Sequence, residues 1–389
     1  MKELTLTSQE DSSRFNSQQQ RLLLVVLLLT LMGLTAIYAA SSLKGQQQFS
    51  DEFLFLRKQI GSTFVGLIAF GFIQLVPWRW IERATLPLLL FTLALLSLIF
   101  IPGMYVKIGG ASRWLNIPLI GGQPSELTKL AMVLFLARNL SRPSSDIHSF
   151  RRGVLPNIFV FALVSGLLLL QKDLGTPVLL FAVTFCMLFS AGVTRKFVLS
   201  AIGGFLGAVG LAVIFEPYRM ARILSFLDPW SQVKGSGFQI IQSFVAFQNG
   251  GLFGVGLGES KQKLFFLPEA HTDFILAVIG EESGLLGVLL VCACFLYLCS
   301  VGFSIAQNQK SAHKRFLAFG LTVTIVIQAL INIGVCMGLL PTKGMTLPFV
   351  SSGSSSLLVF LMISAILTKL AGIEPASMED KTGHAEKRA

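Results

Sequence analysis

Charge is what this sequence has least of. Only 13% of its 389 residues are Asp, Glu, Lys or Arg, about half the roughly 25% of a soluble globular domain. With 53% hydrophobic residues and a mean hydropathy of +0.71, the water-soluble class is excluded. Cysteine is also scarce, and all five (Cys186, Cys292, Cys294, Cys299 and Cys336) lie in apolar runs. The "CAC" of 292–294 has neither the spacing nor the His or carboxylate company of a zinc site. The cysteines therefore read as small packing residues. Acidic residues number 20 against 31 basic ones, but the basic ones fall in short segments between apolar runs. Orientation in a membrane accounts for them, and no nucleic-acid partner is expected.

Apolar stretches recur from end to end, and about 20 residues suffice to cross a bilayer. The expected fold class is an all-α polytopic membrane protein of about ten transmembrane helices. These fall near 22–43, 54–76, 83–101, 126–141, 154–170, 174–191, 196–215, 273–302, 314–340 and 346–371. The polar leader 1–21 and tail 372–389 are expected to be disordered and cytoplasmic, flanking one membrane domain over 22–371. The first run reads as an uncleaved span rather than a signal peptide, because many spans follow it. Connections at 77–83, 138–152, 194–196 and 309–315 hold 11 Lys or Arg and two acids, Glu82 and Asp146. By the positive-inside rule they face the cytoplasm with both termini. Function is then expected on the long outer loops, about 102–125 and 216–272. No internal repeat points to a transporter of two inverted halves.

Isolated charges mark the candidates. In "KIGGASRWLNIPLIGGQPSELTKL" (107–130), Arg113 and Trp114 form either an interfacial anchor or a contact to a lipid phosphate or sugar. Glu126 and Lys129, three apart at the start of a helix, can pair; charges in a span must pair or face a polar interior. Arg219 and Arg222 share a helical face and suit an anionic phosphate. "GGLFGVGLGES" (250–260) imitates a dinucleotide loop but has no βαβ context. "LPEAHTDFILAVIGEE" (267–282) gathers Glu269, His271, Asp273, Glu281 and Glu282 in a carboxylate-poor chain. Asp273 is either a helix-start residue or, flanked by Phe265, Phe266 and Phe274, a general base in a partly dry pocket. Lys343 in "GLLPTKGMTLPFVSSGSSS" (338–356) is either a snorkelling lysine or a site cation. One His among scattered carboxylates does not define a metal geometry, so no metal site or cofactor is assigned; a divalent cation stays open.

Taken in order, the motifs "GASRWL", "QPSELTKL", "QKDLGT", "YRMARILSFLDPW", "GSGFQIIQS", "LPEAHTDF", "VIGEE" and "GLLPTKGMTLPFVSSGSSS" resemble the SEDS family (shape, elongation, division and sporulation; RodA, FtsW, SpoVE) across residues 22–371. Ala270, Gly280 and Thr342-Lys343 resemble the division and sporulation branch. The resemblance implies an inner-membrane peptidoglycan glycosyltransferase at the division septum. It would polymerise lipid II onto an undecaprenyl-diphosphate-linked glycan, beside a class B penicillin-binding protein and other division proteins. It also implies Asp273 as the catalytic residue, with Arg113, Trp114, Glu126, Lys129, Arg219, Arg222, Glu269, His271 and Lys343 toward substrate. Lys172 departs from the family's usual Pro, Ser352 from Tyr and Ser354 from Gly. Rival readings are a lipid II flippase, which predicts charges at the bilayer midplane, and a scaffold without chemistry.

Overall fold

The computed structural model describes residues 2–108, 111–116, 122–142, 149–233, 235, 237–260 and 270–372. Twelve α-helices and one hairpin form within these residues, together with a π-helical turn (Phe150–Val154) and a 3-10 turn (Pro229–Gln232). In chain order they are α1 (Lys2–Phe49), α2 (Leu54–Leu75), α3 (Trp78–Leu98), β1 (Tyr105–Ile108), β2 (Ala111–Leu115), α4 (Pro124–Leu140), α5 (Leu155–Leu170), α6 (Gly175–Ser190), α7 (Arg195–Ile214), α8 (Pro217–Leu227), α9 (Phe238–Gly250), α10 (Ile275–Gln307), α11 (Ala312–Cys336) and α12 (Ser354–Ala371).

Each expected span falls on a helix. Among the described residues seven helices are long and apolar enough to cross a membrane, α5 together with the π-helical turn Phe150–Val154 before it, and an eighth span arises if α7 and α8 count as one chain bent by 104°. The other two expected spans, α4 (17 residues) and α6 (16 residues), are shorter than the usual crossing length. The leader, expected to be disordered, is instead helical backbone continuous with the first span. Neither Gly nor Pro occurs before Gly33, so nothing in the chain stops the apolar helix from propagating backwards. The tail beyond residue 372 lies outside the described residues.

The core is built around α4, α11 and α12. In α4 most side chains are buried, including the charged Glu126 and Lys129, and α4 packs on α3, α6, α11 and α12. α2 and α7 carry their apolar side chains outward, as Phe64, Ile68 and Phe72 of α2 do; with no water to exclude, such faces suit lipid.

α10 is broken. Gly284 adopts φ 65°, ψ −163°, so the carbonyls of Glu281 and Glu282 lose their helical partners. The segment after α9 replaces them: Val255 and Gly256 N–H donate to those carbonyls at 3.0 and 3.1 Å. In return Leu285 and Leu286 N–H donate to the carbonyls of Gly251 and Leu252. Gly254, at φ 83°, packs against the backbone of Glu282 with no room for a Cβ. Glu281, fully buried, accepts hydrogen bonds from Asn249 Nδ2 at 3.1 Å and from Ser260 Oγ. Charged groups at this depth are tolerated only when satisfied in this way.

Candidate functional site

Asp273 ends a short turn, Ala270–Phe274, that leads into α10. The turn is held from two sides. From α11, Asn332 Nδ2 donates to the Asp273 carbonyl at 2.8 Å, and the Cys336 thiol donates to the same oxygen at 3.4 Å. From the α11–α12 connection, Ser351 Oγ donates to the Thr272 carbonyl at 2.5 Å and Ser352 N–H to the His271 carbonyl at 2.9 Å. The Ser352 bond is made by main chain, so serine in place of the family's tyrosine does not weaken it. Ser354 uses its hydroxyl to accept from Ser62 of α2 at 2.7 Å, a clasp glycine cannot form. The Asp273 carboxylate faces the connection at its narrowest residue: a Cβ on Gly344 would sit 3.3 Å from Oδ2.

Beside that carboxylate lies a pocket of about 110 Å³ at the meeting of β2, the α5–α6 turn, α8 and the α11–α12 connection. Four expected residues line it: Arg113, Arg219, Arg222 and Lys343. The sharp bend into α8 sets Arg219 and Arg222 one turn apart on the same face. Arg219 donates to the Ala212 carbonyl at 2.8 Å, and Arg222 to the Thr342 carbonyl at 2.9 Å while lying 4.5 Å over the Tyr218 ring. Arg222 also interacts electrostatically with Asp273 and Arg113. Arg113 donates to the Lys172 carbonyl. Burial pushes the Lys343 ammonium down to about 8; attraction from Asp173 opposes this and Arg222 adds to it.

Three pocket residues were absent from the expected set. Asp173 is buried and accepts from the Gly175 and Thr176 N–H groups at the start of α6, a role the Asp-Leu-Gly-Thr spacing signals. Tyr218 stands one helical turn before Arg222, a legible stacking distance. Lys172 adopts φ 63°, a value closed to the proline the family carries there. The turn in this chain therefore differs from a proline turn and adds a fifth cation.

An apolar cavity of about 500 Å³ lies next to the pocket, between α5, α6 and α7. Leu174 and Val209 line both spaces. Phe161, Phe181 and Phe205 line the cavity, with the rings of Phe181 and Phe205 stacked at 3.7 Å. A basic cup beside an apolar cavity suits an amphiphile with an anionic head.

The remaining candidates go elsewhere. Trp114 is half-buried on β2 and does not line the pocket. Glu126 and Lys129 pair at 2.7 Å inside the bundle, where Lys129 also donates to Gln328 Oε1 at 2.6 Å. Their charges satisfy each other there and reach the site only through α11. His271 is buried with its ring 5.0 Å from Phe55 of α2, and it does not line the pocket. Glu269 lies outside the described residues. Among the described residues no three His, Cys, Asp or Glu side chains converge to hold a metal ion. The excess of positive charge in the pocket disfavours a divalent cation bound by protein groups alone.

A family model described as cell cycle protein, FtsW/RodA/SpoVE, matches residues 19–374. The probable peptidoglycan glycosyltransferase FtsW of Geobacter metallireducens is 43% identical over 88% of this chain and 92% of its own. Stage V sporulation protein E of Bacillus subtilis is 41% identical over 88% and 94%. Among solved structures, a chain from "Structural coordination of polymerization and crosslinking by a peptidoglycan synthase complex" superposes with TM-score 0.75 at 27% identity, over 90% of this chain and 96% of that one. The rod shape determining protein RodA of Thermus thermophilus gives 0.67 at 25%, over 90% and 95%. Sequence order, helical architecture and the Asp273 turn thus converge: the chain belongs to the FtsW/RodA/SpoVE family of cell cycle proteins.

Proposed function

We propose that this protein is a peptidoglycan glycosyltransferase of the division branch, polymerising lipid II on the outer face of the inner membrane. The observation that carries the reading is the placement of the Asp273 carboxylate against Gly344, at the edge of a cation-lined pocket that shares Leu174 and Val209 with an apolar cavity. An α-linked diphosphate donor becomes a β-1,4 bond by inverting displacement. The acceptor's sugar hydroxyl attacks the anomeric carbon, and Asp273 takes the hydroxyl proton. The bond to the diphosphate breaks, and its electron pair leaves with the diphosphate toward Arg113, Arg219, Arg222 and Lys343. General base catalysis contributes about 10²–10⁴-fold. Preorganised cations stabilise the departing charge without reorganising, and arginine forks match phosphate oxygens. The lipid tail stays in the apolar cavity or the bilayer, so the substrate need not leave the membrane.

Both termini are placed in the cytoplasm, the protein at the septum, and a class B penicillin-binding protein beside it as transpeptidase. The likeness to a chain of a peptidoglycan synthase complex supports a partner of that kind. The test is glycan polymerisation from lipid II by purified protein, with and without the partner, for native protein and Asp273→Asn. Polymer from the native protein only, with the variant folded and partner-bound, is the expected result. Equal polymer from both removes Asp273 as the base. Lipid II translocation without polymer from either turns the reading to transport.

A further inference from the structure

We propose that Asn332 is a positioning residue: it locks the Asp273 turn to the Lys343 loop so that base and cations meet one substrate at a fixed separation. The inference rests on reading Asp273 as the base. Asn332 sits in α11 with 2% of its surface exposed. Its single amide nitrogen serves two masters from separate parts of the chain, donating to the Asp273 carbonyl at 2.8 Å and to the Met345 carbonyl at 2.7 Å. An amide has two N–H groups, so both are committed here. Met345 follows Gly344, the residue facing the Asp273 carboxylate, and Lys343 precedes it. The two bonds therefore span the gap that sets how far the carboxylate stands from the loop.

Ser351 and Ser352 also tie the connection to the turn, at Thr272 and His271, but Asn332 is the residue that holds Met345, next to Gly344, to Asp273 itself. The connection from Pro341 to Gly353 is irregular backbone without a strand or helix to fix it, and buried carbonyls outside such elements need side-chain donors. Gln328, one turn earlier on the same face of α11, repeats the device: its Nε2 donates to the Thr346 carbonyl at 2.9 Å while its Oε1 accepts from Lys129. α11 thus offers two carboxamides in register with successive residues of the loop. Gln328 binds the loop to the Glu126–Lys129 pair, and Asn332 binds it to the catalytic turn. A residue acting in this way touches no substrate, so its loss misplaces groups without removing any of them. A displacement of about 1 Å costs roughly 10²-fold in rate.

The experiment compares initial polymerisation rates against lipid II concentration, with the partner bound, for native protein, Asn332→Leu, Asn332→Ser and Asp273→Asn. Leucine keeps the volume and removes the donor; serine keeps one donor and stands in should the leucine variant fail to accumulate. Thermal unfolding of each variant is recorded alongside. The expected result is a kcat about 100-fold lower in Asn332→Leu, KM within threefold of native, and an intermediate kcat in Asn332→Ser. A kcat within threefold of native in the folded variants overturns the inference. So does a loss confined to unfolding temperature, or a rise in KM that accounts for the whole effect. Asp273→Asn separates the two readings. If it is inactive while the Asn332 variants are native-like, only the positioning role falls. If it is fully active, the base assignment falls and the positioning role with it.

Discussion

Lys343 is a cation whose charge titrates close to neutrality. Its folded value of about 8 lies below the ordinary 10.5, so the folded state releases this proton first. At pH 7, below both values, the penalty for burying the charged ammonium is fully present; it is relieved as pH rises from about 8 to 10.5, and stability from this group rises with it. Function runs the other way, because a neutral Lys343 no longer attracts an anionic head. The expectation is that kcat/KM for lipid II falls above about pH 8, and that Lys343→Arg, always charged, flattens this limb. A bound anion favours the charged form, so the corresponding limb in kcat should lie at higher pH. A rate profile unchanged by Lys343→Arg would remove the lysine from substrate binding. The Glu126–Lys129 pair makes a different prediction. Lys129 is 1% exposed, and Lys129→Met strands a buried carboxylate at a cost of about 3–5 kcal/mol. Adding Glu126→Gln should restore most of the unfolding temperature measured in detergent. Spacing of three made the pairing legible in the sequence. Which helix face the pair occupied was not, since every face of α4 is buried.

At the scale of elements, the broken α10 and the segment that plugs it behave as one unit. Glycines 251, 254, 256 and 258 all have positive φ, which is what the glycine-rich stretch is for: it brings bare backbone against the broken helix. Gly254→Ala forces both a left-handed alanine and a collision with Glu282. It should lower stability by more than about 2 kcal/mol, read as a drop in unfolding temperature in detergent; an unchanged temperature would mean the plug is not closed in the folded protein. The sequence shows the glycines, and the lack of a βαβ context excludes a dinucleotide loop, but the partner of that backbone is some thirty residues away and no local pattern names it. The hairpin β1–β2 is similar. Its glycines and prolines mark a folded loop, whereas the pairing of Tyr105 with Leu115 and Val106 with Trp114 depends on a register no motif announces. Asp273, by contrast, was legible because a carboxylate and an imidazole beside a span are conspicuous in a chain this poor in charge.

For the whole molecule, the distribution of arginine and lysine sets an orientation that can be tested directly. In a background with the five cysteines replaced, Ser231→Cys, after α8, should react with an impermeant maleimide from outside the membrane. Ser311→Cys, ahead of α11, should react only after permeabilisation; both are exposed positions. The reverse pattern would put the cation-lined pocket in the cytoplasm and end the proposed reaction. Helical content and its rough placement were legible from hydropathy alone, because α-helices satisfy their own backbone in lipid. The count of crossings was less so, since short α4 and α6 are sheltered by neighbouring helices rather than by their own length.

The break at Gly284 also bears on how the chain enters the bilayer. The part of α10 after it, Leu285–Gln307, is roughly 34 Å long at 1.5 Å per residue, enough to cross the hydrocarbon unaided. During biogenesis the insertion machinery can accept that half as a complete crossing without Glu281 and Glu282 in it. The segment that caps them, residues 251–260, has by then already been translated. The two carboxylates therefore need not be carried by that crossing, and the Asp273 turn ahead of them is assembled by docking rather than by threading.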